Sequence, residues 1–109
     1  MGLDIRIIHQ TKITCPECGT VVDTKVVDCV GSGGRDWYGV LESIGYYVPF
    51  EQRTEENDWY GKDMILTDEQ IDKIMKFLDG QSVIEAVSAK SLIALAKYEG
   101  HDVVINADW

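Results

Sequence analysis

Two cysteines three apart, Cys15 and Cys18, lie in the stretch ITCPECGTV, with Pro16 and Glu17 between them and Gly19 following. A turn of this kind aims backbone N–H groups at the sulfurs, and two thiolates at this spacing reach one tetrahedral ion. Glycine accepts the backbone conformation that other residues resist at the end of such a turn. A third thiol, Cys29, follows after ten residues, and Ser32 stands where a fourth would complete a second Cys-x-x-Cys. Three thiolates need one more donor. His9, six residues before Cys15, is the strongest substitute, ahead of Asp28 and His101. The expectation is one structural zinc on Cys15, Cys18, Cys29 and His9. The alternative is a turn that persists without metal, its thiols packed as small hydrophobes.

Residues 13–32 resemble the knuckle of zinc ribbons and rubredoxin-like folds, with the last ligand replaced. The resemblance implies a β-hairpin subregion and a structural rather than catalytic ion, because spacing places no base beside an open coordination position. Cys15-Pro16-Glu17-Cys18 is also similar to the redox motif of glutaredoxin-like proteins. In those the first cysteine opens a helix, which lowers its pKa. Here GTVVDTKVVD follows, a β-branched strand signal, so a thiol oxidoreductase is a lesser alternative. No Gly-x-Gly-x-x-Gly follows a strand, and neither a phosphate-binding loop nor a nucleophile elbow is present. An enzyme is not expected.

The elements that must position these residues follow from periodicity. LDIRIIH alternates as a strand, with Leu3, Ile5 and Ile7 on one face. TKITCPECGTVVDTKVVDCV reads as β-rich, with turns at Pro-Glu-Cys-Gly and at Asp23-Thr24-Lys25, and GSGG (31–34) as a flexible joint. Asp36 is placed to cap a short helix whose stripe is Trp37, Val40, Leu41 and Ile44, stopped by Gly45. YYVPF (46–50) reads as a short edge strand. Thr67 and Gln70 form a capping box for a helix with Ile71, Ile74, Met75 and Leu78 inward and Gly80 as its end. Ser82 and Glu85 repeat the box before an alanine-rich helix that Gly100 stops, and HDVVINADW is a final strand. The fold class is α+β: one domain over 1–109, a small sheet holding the first and last strands and the ribbon-like hairpin, packed on two or three helices.

The 109 residues carry 19 acids and 10 bases, a net charge of −9. From Glu51 to Asp72 eight acids stand against two bases. Direct phosphate binding to nucleic acid is not expected without a basic stripe. Such a face either solvates the protein or attracts a basic partner, standing in for phosphates. In the acidic connection (51–66), Glu51, Glu55, Glu56, Asp58 and Asp63 surround Trp59 and Tyr60, aromatic anchors of the kind that dominate interfaces. DWYG occurs twice, at 36–39 and 58–61, in flanks that do not match, so no domain is duplicated. Trp37 is expected in the core, and Trp109 at a sheet edge.

No apolar run approaches the ~20 residues of a membrane span. The start, MGLDIRIIHQ, lacks a signal-peptide pattern, and an odd cysteine count suits reduced thiols, so a cytoplasmic protein is expected. The opening MGLDI is similar to the start of many small phage and prophage accessory proteins. With the acidity and the missing catalytic motifs, that resemblance implies a protein that binds and blocks a basic, nucleic-acid-handling host protein, by analogy with small acidic anti-CRISPR proteins.

Overall fold

The computed structural model describes residues 3–34, 36–81 and 84–108. Strand β1 (Asp4–Thr14) and β2 (Val21–Gly33) form a long antiparallel hairpin. Helix α1 (Trp37–Ser43), β3 (Met64–Ile65), α2 (Asp68–Asp79), α3 (Ile84–Glu99) and β4 (Asp102–Asp108) follow. The sheet order is β2-β1-β4-β3, with every neighbour antiparallel. The fold is α+β, and the first and last strands pair along Asp4–Gln10.

One face of the sheet carries the core. Ile5, Ile7 and His9 of β1 stand opposite Ala107, Ile105 and Val103 of β4, because paired antiparallel residues share a face. Helix α3 lies across β1, β2 and β4. Its inward residues are Ala86, Ala89, Leu92, Ile93 and Ala96, and the small side chains let the helix sit close to the strands. Trp37, Val40 and Leu41 of α1 and Ile71, Ile74 and Leu78 of α2 complete this cluster.

Local signals explain most element ends. The Thr67 hydroxyl accepts the Gln70 N–H, and the Gln70 side-chain oxygen accepts the Thr67 N–H, a complete capping box. Gln70 Nε2 also donates to the Ile44 carbonyl at 2.8 Å, tying the start of α2 to the end of α1. Asp36 differs from expectation: it precedes α1 without a side-chain capping bond. The Ser82–Glu85 box and Trp109 fall outside what the structure describes.

Three strand expectations are corrected. β2 runs unbroken through Asp23-Thr24-Lys25, since Val21, Val22, Val26 and Val27 favour extension and β1 pairs with the run on either side of bulges at Val22 and Val27. Residues 31–33 of GSGG continue that strand. YYVPF is not a strand: Tyr46 turns inward, fully buried, and its hydroxyl donates to the Lys62 carbonyl at 2.6 Å and accepts the Ala107 N–H at 2.8 Å. The strand of that region is β3, two residues long, inside the acidic connection. Among the described residues no helix is long and apolar enough to cross a membrane.

Candidate metal centre and acidic face

The cysteine-based set does not assemble. The Cys15–Thr20 turn closes the hairpin tip, with Gly19 N–H donating to the Cys15 carbonyl and Cys15 N–H to that of Thr20, both at 2.8 Å. Gly19 has the positive φ that the motif predicts. Cys29, however, stands opposite Ile8, eight residues down β2 from Val21. At ~3.3 Å per residue that is roughly 25 Å from the tip. His9 is six residues down β1, roughly 20 Å away by the same rise, and its ring faces the helices, whereas Cys29 shares the other face with Ile8. The contiguous strands that make the hairpin long are what separate the four donors. Ser32, at the place of the missing ligand, instead accepts the Trp37 indole N–H at 3.1 Å.

His9 finds other partners. It is fully buried at the end of the core-facing stretch of β1. Helix α3 ends on Glu99, and Gly100 takes a positive φ. The Gly100 N–H donates to the Lys97 carbonyl and the His101 N–H to that of Ala96, a Schellman close. That close turns the chain sharply, so Glu99 and His101 flank one glycine and both reach His9. His9 Nε2 lies 2.8 Å from His101 Nδ1 and 3.6 Å from Glu99 Oε2, and His101 Nδ1 lies 3.1 Å from the same carboxylate oxygen.

Two imidazole nitrogens and a carboxylate oxygen therefore converge on one point, and this group could hold a metal ion. Donors 2.0–2.1 Å from a tetrahedral zinc are about 3.3 Å apart, which the three separations bracket. Two ring nitrogens this close share one proton between them, or a cation takes its place. His9 Nδ1 is moreover a buried polar atom with no hydrogen-bond partner among the described residues. Leaving such an atom unmatched costs about 1–3 kcal/mol. His101 and Glu99 are part-exposed, and a cleft of ≈ 370 Å³ bordered by Asp68, Lys97, His101 and Asp102 opens beside His101.

The thiols have their own chemistry. Cys18 is exposed, and its sulfur lies 3.3 Å from the Thr20 hydroxyl. Hydrogen bonds from the Thr20 side chain and backbone, then from Cys15, favour the thiolate and lower its pKa to about 7.

The acidic connection is divided. Glu51, Glu55 and Glu56 are exposed. Asp58 accepts the Tyr60 N–H, and Asp63 accepts from Asn106 Nδ2 at 2.7 Å, so these two acids also organise the loop. Trp59 is not a free anchor: it is half-buried against the core, 6.3 Å from the Tyr46 ring. The outward aromatics here are Tyr60, 48% exposed, and, just before the connection, Phe50, 83% exposed, which the YYVPF strand expectation gave no role. Glu99 was likewise missed. The signal available was Glu-Gly-His at a helix stop, two ligand types brought together by a glycine turn. Comparison with family models, with curated proteins and with solved structures finds no match to this chain.

Proposed function

We propose that this chain is a small metal-binding interaction module, in which a zinc ion fastens the end of α3 to the sheet and the protein works by binding another protein. The observation that carries the metal reading is the convergence of His9 Nε2, His101 Nδ1 and Glu99 Oε2, which lie 2.8, 3.1 and 3.6 Å from one another. Two nitrogens and one carboxylate oxygen are a donor set that suits zinc. The role is architectural because the ion would join elements far apart in sequence. Native mass spectrometry of chelated and zinc-treated protein tests this. One bound zinc is expected, lost in His101→Ala and kept when Cys15 and Cys18 are both changed to serine. Zinc retained by His101→Ala, or lost in the double serine variant, defeats the assignment.

The partner-binding reading is favoured by Tyr60, an exposed aromatic in the same connection as Glu51, Glu55 and Glu56, and by Phe50, exposed immediately before it. Aromatic anchors among acids suit an arginine-rich surface, and a basic nucleic-acid-handling protein is the partner this chemistry recognises. Capture from a host lysate on tagged protein, eluted with a salt gradient, is the direct test. Binding that weakens steeply with salt, and falls when Glu55, Glu56 and Phe50 are replaced together, is expected. Capture indifferent to salt and to those replacements rules this face out.

A further inference from the structure

The outer half of the hairpin stands largely in solvent. Val21 to Cys29 of β2 are all exposed, and β1 is exposed from Lys12 to Thr14. Val21, Val22, Val26 and Val27 are each about half or more exposed on this arm (49%, 64%, 55% and 47%). A two-stranded ribbon in water is marginally stable alone. β2 is also the sheet edge, so its outer backbone groups form a template for another strand.

We infer that β2 is a self-association edge, on which two copies of this chain pair antiparallel about Thr24 and join their sheets into one. The outward direction is marked by two hydrogen bonds. The Thr24 N–H goes to the Asp23 carboxylate at 2.7 Å and the Cys29 N–H to the Asp28 carboxylate at 2.8 Å, so both point away from the β1 ladder. The change from an even to an odd position agrees with the bulge at Val27, where the register opposite β1 slips between His9 and Gln10. Residues 24 and 26 therefore present their backbone groups outward, and a second register shift, between Ile13 and Thr14, leaves Val22 as a bulge that ends this stretch of the edge.

Charge selects the register. Centred on Asp23, the pairing sets Asp23 against Asp23; centred on Lys25, it sets Lys25 against Lys25. Centred on Thr24, it sets Asp23 against Lys25 twice and Val22 against Val26 twice. Within the chain these charges face Ile13 and Thr11 on β1, and neither makes an ion pair among the described residues. On pairing, the Asp23 carboxylate exchanges its own-strand N–H for the Lys25 ammonium of the second copy. The opposite edge, β3, has two residues and cannot template a strand, so the contact closes as a two-fold dimer rather than growing into a fibre.

Sedimentation equilibrium on the full chain from micromolar to millimolar concentration is the test. The mass should rise from 12.2 kDa towards twice that value. Lys25→Asp and Asp23→Lys should each stay monomeric alone, yet associate when mixed, because the mixture restores opposite charges at every crossing. Thr24→Pro, which removes an outward N–H, should also stay monomeric with an unchanged circular dichroism spectrum. A wild type that is monomeric throughout overturns the proposal. So does a dimer indifferent to Lys25→Asp, or a mixture of the two charge variants that does not associate.

Discussion

His9 Nε2 stands 2.8 Å from His101 Nδ1 although 92 positions separate the two residues. One histidine is wholly buried and the other reaches the surface, so the pair connects the core to solvent. A proton can bridge the nitrogens, or a metal ion can hold both. The two states differ in what they do for stability.

Replacing His9 by phenylalanine separates them. With chelator present, His9→Phe should be as stable as the wild type or more so, because an apolar ring removes a buried nitrogen without a partner. With zinc at a hundred times its Kd the wild type should gain about 2.7 kcal/mol, and the variant nothing. Thermal unfolding with and without zinc reads both effects. Equal zinc responses in the two proteins would count against the site.

Tyr46 is the polar pin of the core. Burial raises its pKa, and its hydroxyl serves both the Lys62 carbonyl and the Ala107 N–H. Tyr46→Phe leaves those two backbone groups without that partner, at a cost of roughly 1–3 kcal/mol. Urea unfolding should show a lower midpoint with an unchanged slope.

Cys18 should be the reactive thiol near neutrality. Its ionisation at about pH 7 comes first from the Thr20 side chain, so its alkylation rate should rise with pH around a midpoint near that value. Thr20→Val should move the midpoint upward, because the hydroxyl that favours the thiolate is gone. Mass-resolved iodoacetamide labelling across pH measures both. An unchanged midpoint in Thr20→Val would show that the hydroxyl is not the cause.

The α2 cap makes a graded prediction. Thr67→Ala loses one side of the capping box, worth about 1 kcal/mol. Gln70→Ala loses the other side together with its bond to the Ile44 carbonyl, and should cost more. Chemical denaturation of the two variants ranks them.

Wherever a signal is local, the chain already carries it. The Thr67–Gln70 box and the stop at Gly100 rest on contacts within a turn or two, and the Trp37-Val40-Leu41 stripe and the alanines of α3 show as helical spacing before any partner is known. The β1 alternation was legible for the same reason, and with it the α+β class, whereas β4 does not alternate: Val103 to Ala107 are all buried. What sequence spacing misled on was distance. Cys15, Cys18 and Cys29 look near because few residues separate them, yet extended backbone carries Cys29 far from the turn. His9 and His101 look remote, yet the register that sets His9 opposite Val103 brings them together. That register is fixed by burying Ile5, Ile7, Val103 and Ile105 on one face, a non-local requirement that a one-residue slip would reverse. Residue types and periodicity set which side chains can bind and which elements form, while strand register and the turn at Gly100 set which of those side chains meet.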